Sequence, residues 1–452
     1  MSALSAKIDS REARVAILGF GYIGTCIGAV LADRGYEVIG IDVRKSHVDE
    51  INSGTTSIAE PSLKDLVERT VRNKKLRATT DSSILKTCDV IVVTVGTPLG
   101  ENFSPDTRDI LAASRTLGEN AREDQLIVLK STVPPGTTEE IVLPELEKKL
   151  SRDKFYLAYC PERLAEGRAI PELQSIPVVV GGLNSESTKI SERFWQTALG
   201  VNTIAVDGCR ASEIVKLACN WWIDLNVAMA NELALLCEKY GADALQVISA
   251  SNSLPKGQGH VNILFPSLGV GGYCLTKDPW FVHHIGKKHQ LDLLTPVASR
   301  RANDRMPEHT FDLLKELVES RGKKISDSKV AVLGISFKNN TGDCRYTPTQ
   351  PILEKLEASG CRLEICDPWV HEAEAKTVTQ KPLNPSVLET LKNADAVAFF
   401  TGHDEFKTLT VSKLKDLLNP GAAILDGRNF FSREKIQQAK DAGFRYHGIG
   451  RE

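Results

Sequence analysis

The 452-residue sequence predicts an α/β fold with two doubly wound domains joined by a long central helix and a helical region. Three observations predict it. Short apolar runs alternate with helix-period segments up to about residue 205, and the same alternation restarts after residue 326. Between them, residues 210–240 contain neither Gly nor Pro and carry apolar residues at helical spacing.

The elements follow in order. Residues 1–13 are polar and read as a frayed terminus. RVAIL (14–18) is a buried strand, 22–34 an amphipathic helix and EVIGID (37–42) a second strand, which together make a βαβ unit. Strand-like runs continue at 89–95, 126–130, 154–159 and 177–181. After the helix at 210–240, Gly241 is a stop signal, and the Gly, Pro and Ser of 252–274 read as loop. A helical stretch at 289–320 precedes four more strands, at 329–335, 362–366, 394–400 and 422–425. The expected domains are therefore 1–205, 206–325 and 326–452. A long two-faced helix between domains suits a homodimer or higher homo-oligomer.

The formal net charge of -2 provides no general attraction for nucleic acid or a membrane surface. No apolar run reaches the ~18–20 residues of a membrane helix. Ten cysteines without CxxC pairs or metal-ligand spacing point to reduced thiols in the cytoplasm and to no metal site. Lys74-Lys75 and Lys287-Lys288 read as solvated faces.

Gly19-Phe20-Gly21-Tyr22-Ile23-Gly24 fits GxGxxG between a strand and a helix. Gly19 permits the turn, Gly21 lets a pyrophosphate approach and Gly24 allows close helix–strand packing. Asp42 ends the second strand 18 residues after Gly24, where an acid binds a ribose 2′-hydroxyl and repels a 2′-phosphate. The first domain thus reads as Rossmann-like and selective for NAD, a preference that Arg44 and Lys45 would soften.

Further segments are KSTVPPGTT (130–138), PERLAEGRA (161–169), Lys216-Leu217-Ala218-Cys219-Asn220 and GVGGYCLTKDP (269–279). EPSL (60–63), VGTP (95–98), SFKNNTGDCR (336–345) and DGRN (426–429) join them. In this order, over nearly the whole chain, they resemble the UDP-glucose/GDP-mannose dehydrogenase family. The PER version of the second motif is closer to the UDP-N-acetylglucosamine/UDP-N-acetylmannosamine branch.

On residue chemistry alone, Cys274 is one thiol among ten, Lys216 a helix-surface charge and Glu162 and Glu166 surface carboxylates. Asp278-Pro279 is a standard helix start, with Asp as N-cap and the thiol just ahead of it. The resemblance implies more. Cys274 would be a covalent nucleophile, with Lys216 and Asn220 supporting an oxyanion and Asp278 holding the hydrolytic water. Glu166 would work with Thr132 and a water as base, and Glu162 would assist thioester hydrolysis. Tyr22, Ile23, Thr97 and Thr132 would join the glycines and Asp42 around NAD. Glu162, Arg163, Leu164, Lys216, Asn220, Gly271, Lys338 and Arg428 would face a UDP-sugar, and the FKNNTGD turn would offer N–H groups to phosphate. Asp367-Pro368 reads as structural.

The implied reaction is a four-electron oxidation of a sugar C6 alcohol to the acid, with a UDP-N-acetylhexosamine favoured over UDP-glucose and GDP-mannose. Tyr273 replaces a His common before the nucleophile in that branch, and Leu275-Thr276-Lys277 replaces its usual segment. Gly259-His260-Val261 stands where the branch often carries Pro-Arg-Val, whose Arg would reach the sugar nucleotide across a dimer. Two other readings are a two-electron hydroxyacid dehydrogenase, which needs neither Cys274 nor the last domain, and a non-catalytic NAD-binding regulator.

Overall fold

A computed structural model describes residues 3–257, 259–320 and 322–452. The chain divides into two compact units, one ending at Cys219 and the other beginning at Asn220. The boundary lies inside the 33-residue helix Gly208–Tyr240.

The first unit is built on one eight-stranded sheet. Its strands are β1 (Arg14–Leu18), β2 (Glu37–Ile41), β3 (Leu76–Thr79), β4 (Val90–Val93), β5 (Leu126–Leu129), β6 (Tyr156–Tyr159), β7 (Val178–Gly182) and β8 (Thr203–Ala205). Their order is β3-β2-β1-β4-β5-β6-β7-β8. The first six follow the 3-2-1-4-5-6 winding of dinucleotide-binding sheets. The side-chain period of two sends Val15 and Ile17 into one core and Ala16 and Leu18 into the other. With both faces covered, VIVV of β4 and LIVL of β5 are buried throughout.

Three features differ from the expectation. β6 and β7 pair antiparallel, so the sheet is not wholly parallel. Strands β3 and β8 are additional, because LRAT and TIA are too short and too exposed to give a periodic signal. The terminus expected to fray forms the helix Ala3–Asp9, with Leu4 and Ile8 buried. Tyr36 Oη donates to Ile8 O at 3.0 Å, and Arg193 Nε donates to Asp9 Oδ1 at 2.7 Å.

In the second unit the helix Ala244–Asn252 leads to a small hairpin, β9 (Pro255–Lys256) and β10 (Gly259–His260), within the expected loop. The expected helical stretch of 289–320 is two helices, Leu294–Asp304 and Met306–Glu319, and the Asp278-Pro279 start opens a further helix before it, Asp278–Lys288. A parallel sheet follows, of β11 (Lys329–Leu333), β12 (Arg362–Cys366), β13 (Ala396–Phe399), β14 (Ala423–Asp426) and β15 (Arg445–Gly448). Its order is β12-β11-β13-β14-β15, the 2-1-3-4-5 winding. β15 is one strand more than expected; RYHG has too few apolar residues to announce itself.

Candidate active site

In the first unit the strand order reverses between β1 and β4, and the loops at their carboxyl ends carry the glycine motif and VGTP. Gly19 has φ +91°, and a Cβ there would lie 2.8 Å from Val95 N. At Gly24 a Cβ would meet Gly19 O at 2.5 Å, so only glycine lets the helix Tyr22–Asp33 sit this close to the turn. Around Gly21 nothing lies within 4 Å of a Cβ position, and no side chain caps this helix. The uncapped N-terminus beside open space fits a pyrophosphate. Asp42, at the end of β2, accepts from Arg44 N (2.9 Å), Nε (3.1 Å) and Nη2 (3.2 Å). Burial pushes its carboxyl up, but these donors outweigh burial and hold it below the usual range. Lys45 is engaged by Asp49 at 2.9 Å. These residues together fit NAD.

Three sequence motifs meet at Tyr22. Its hydroxyl donates to Glu60 Oε2 of EPSL, and Gly167 N of PERLAEGRA donates to the same oxygen at 2.6 Å. Burial and the Glu60 carboxylate both push the phenol well above its usual range. Ile23 and Leu164 pack on the core beneath. Thr97 Oγ1 donates to Thr132 O at 2.6 Å, which joins VGTP to KSTVPPGTT.

Two residues missed in the sequence support these loops. The buried Glu213 accepts from Gly136 N at 2.5 Å, Thr138 N at 2.8 Å and Thr138 Oγ1 at 2.6 Å, fixing the segment after Thr132. Desolvation raises its pKa despite these donors. The available signal was its place three residues before Lys216, on the same helix face. The buried Lys130 lies 3.4 Å from Glu162 Oε2 and 4.9 Å from the Trp195 ring centroid. Glu162 Oε1 also accepts from Leu164 N at 2.7 Å, so Glu162 is a paired, fixed carboxylate. Arg163 donates to Pro177 O, and Glu166 sits half-buried on the same loop. Lys216 is 5% exposed, so it is not the solvated charge its helix position suggested.

In the second unit Asn220 Nδ2 donates to Asp278 Oδ2 at 2.5 Å. Asp278 is fully buried, and its other oxygen lies 3.4 Å from Lys277 Nζ. This corrects the expected capping: Lys277 occupies the N-cap, and the Asp278 carboxylate faces Asn220 instead of the helix N–H groups. Cys274 is exposed, on a turn whose carbonyl accepts from Lys277 N (3.1 Å) and Asp278 N (2.8 Å). Lys277 Nζ also lies 4.9 Å from the Tyr273 ring centroid and 4.6 Å from that of Phe281.

The turn that carries Cys274 is seated on SFKNNTGDCR. Gly272 N donates to Arg345 O at 3.1 Å, and a Cβ at Gly271 would fall 2.5 Å from Phe337 Cβ. Arg428 donates to Phe400 O (3.0 Å) and Phe337 O (2.8 Å), and burial lowers its pKa to about 10. Lys338 is half-buried next to Phe337. Two N–H groups expected to serve phosphate are already used: Phe337 N donates to Asp343 O and Asn340 N to His403 Nδ1. Asp367 is structural, accepting from Ile335 N at 2.7 Å and Trp369 N at 2.9 Å.

The glycine turn, the uncapped helix and Asp42 define a dinucleotide-binding protein with a second doubly wound sheet. The chain belongs to the UDP-glucose/GDP-mannose dehydrogenase family: residues 13–199 match its NAD binding domain, 210–305 its central domain and 331–433 its UDP binding domain. Membership makes it an NAD-dependent nucleotide-sugar dehydrogenase. It is 32% identical to UDP-N-acetyl-D-mannosamine dehydrogenase of Pyrococcus horikoshii, over 97% of this chain and 99% of that one. It is 31% identical to NDP-N-acetyl-D-galactosaminuronic acid dehydrogenase of Ralstonia nicotianae, over 96% of this chain and all of the other. The solved Pyrococcus horikoshii UDP-D-ManNAc dehydrogenase superposes with a TM-score of 0.85 at 32% identity, covering 97% of this chain and 99% of its own. A UDP-glucose dehydrogenase from Pyrobaculum islandicum also scores 0.85, at 27% identity, covering 97% of this chain and 98% of its own. Backbone similarity therefore does not discriminate between sugars.

Among the described residues no group of three or more His, Cys, Asp or Glu is arranged to hold a metal, and no helix is long and apolar enough to cross a membrane.

Proposed function

We propose that the chain oxidises the C6 hydroxyl of a UDP-N-acetylhexosamine, UDP-N-acetylmannosamine first, to the uronic acid. The observation that carries this reading is the exposed Cys274 thiol, four residues ahead of a buried carboxylate bonded by Asn220. The names of the relatives support the sugar class.

Gly19, Gly21, Tyr22, Ile23, Gly24, Asp42, Thr97 and Thr132 would hold NAD, and two NAD bound in turn would each accept one hydride. Glu166, with Thr132 and a water, takes the hydroxyl proton in the first. The aldehyde formed has no hydride to give until a nucleophile adds. Cys274 thiolate adds to C6, and Lys216 and Asn220 stabilise the oxyanion of the thiohemiacetal. Loss of the second hydride leaves a thioester on Cys274. Asp278, assisted by Glu162, directs water to the thioester carbon, and the thiolate leaves. Arg163, Leu164, Gly271, Lys338 and Arg428 hold the nucleotide sugar.

The proposed domains are 1–205 for NAD, 206–325 for dimerisation and 326–452 for the UDP-sugar. Exposed Trp222, Met229 and Leu236 recur every seven residues along the long helix and support a homodimer. Ten cysteines without CxxC pairs suit the cytoplasm.

The test is NADH formed per mole of limiting sugar across a panel of UDP- and GDP-sugars. Two NADH per sugar is expected. One would mean an aldehyde or ketone product and would remove the covalent role of Cys274.

A further inference from the structure

The long helix carries a buried acid that this mechanism does not use. Asp224 lies four residues past Asn220, on the same face, and is fully buried. Its Oδ1 accepts from Arg300 Nη1 at 2.6 Å and Asn303 Nδ2 at 2.8 Å, and its Oδ2 accepts from Ser299 Oγ at 2.7 Å. Arg300 is 2% exposed and donates onward, from Nη1 to Leu275 O at 3.3 Å and from Nη2 to the Asp304 carboxylate. Leu275 directly follows the nucleophile. A second branch runs from Asn303 Oδ1 to Asn231 Nδ2 (2.9 Å), and Asn231 Oδ1 accepts from Ser267 N (2.8 Å).

The segment 267–278 is thus gripped from the long helix at three points. Asn231 holds its start, Asp224 holds Leu275 through Arg300, and Asn220 holds Asp278. A buried ion pair is weak evidence for stability, because desolvation offsets its attraction and apolar replacements are often as stable. What this pair supplies beyond stability is a fixed carbonyl next to a reactive thiol.

We propose that Asp224 and Arg300 are positioning residues that set the geometry of the Cys274 turn. The inference rests on Cys274 being the nucleophile, and it is tested by a readout that does not need turnover. Cys274 is the exposed thiol, with eight others buried and Cys219 half-buried, so iodoacetamide followed by peptide mass spectrometry reports on it selectively. The variants are Arg300→Lys, which keeps the charge without the forked donors, and the pair Asp224→Leu/Arg300→Met, which strands no buried ion, since Asp304 is exposed.

The expected result for the pair is a wild-type far-UV spectrum and wild-type affinity for NAD and UDP. Its kcat falls at least tenfold with KM little changed, and the pH profile of Cys274 alkylation is displaced. Arg300→Lys lies between the pair and the wild type. A folded pair with wild-type kcat and alkylation profile overturns the inference. If the pair does not fold, a wild-type kcat and alkylation profile in Arg300→Lys overturns it, and a lowered kcat with a displaced profile supports it. Undiminished two-NADH turnover by Cys274→Ser would instead remove the nucleophile reading itself, a result distinguishable from any outcome at Arg300.

Discussion

In the proposed NAD site, Asp42 is the single side chain that would set cofactor choice. Arg44 donates to its carboxylate three times and holds its pKa below the usual range against burial, and the same contact engages the guanidinium. Replacing Asp42 by Ala removes the proposed ribose acceptor and releases the guanidinium. Hydrogen bonds to charged groups contribute about 1.5–3 kcal/mol. The KM for NAD of Asp42→Ala should therefore rise about tenfold or more, while NADP becomes a usable cofactor. Initial rates with both cofactors decide this, and an unchanged NAD/NADP ratio would count against the assignment. Lys130 makes a parallel case. Lys130→Met leaves the half-buried Glu162 without its cation, so kcat should fall while the affinity for NAD changes little. Glu162 was legible only as a motif letter, because a sequence does not reveal that a lysine 32 positions earlier folds against it.

At the scale of elements, glycines carried most of what could be read. The GxGxxG spacing requires a close helix–turn approach, and the 2.5 Å Cβ clearance at Gly24 is that requirement seen in space. Gly24→Ala should lower the melting temperature and weaken NAD binding together, whereas Gly21→Ala, with open space around it, should weaken NAD binding with little loss of stability. Calorimetry and NAD titration of the two variants separate these effects. β1, β2, β4 and β5 were legible because strands buried on both faces read as unbroken apolar runs. β3, β8 and β15 were not, since each is short or edge-placed and gains its apolar contacts only after its neighbours assemble. The N-terminal helix escaped for the same reason: Leu4 and Ile8 are too few to signal a helix, but two buried anchors suffice to dock one. Asp278 was misread as a cap because Asp-Pro is a local signal, and its true partner lies 58 residues away.

At the scale of the whole molecule, charge and surface make separate predictions. Each unit keeps an acid below its usual range. Burial raises Asp89, but donors from Arg14 N, Lys7 and Arg122 outweigh it; burial raises Asp367, but His403 and the Ile335 and Trp369 N–H groups outweigh that. A carboxylate with a depressed folded pKa contributes stability fully above its unfolded value, ~3.9, and loses it as pH falls through the folded value. Asp89→Asn and Asp367→Asn should each destabilise at neutral pH, and the gap to wild type should close as pH falls below about 4. Melting temperatures from pH 7 to 3 test this, and parallel curves would show that neither acid contributes by ionisation.

The long helix carries the last prediction. Trp222 (48% exposed), Met229 (54%) and Leu236 (54%) form one stripe, and Leu225, Ala228 and Leu233 line a groove beside it with Ala298 and Ala302. Large side chains at seven-residue intervals on a helix are the pattern that a second helix packs against, and a soluble monomer rarely leaves such a stripe bare. A second copy of the chain offers the same stripe in return, as a two-fold interface requires. Met229→Glu places a charge at the middle of that seam, where an unpaired buried carboxylate is costly. Light scattering should give a dimer for the wild type and a monomer, or a concentration-dependent mixture, for Met229→Glu. The melting temperature of the wild type should rise with protein concentration, as it must when folding and association are linked. A wild-type monomer at all concentrations would remove the dimer and leave the stripe for some other partner.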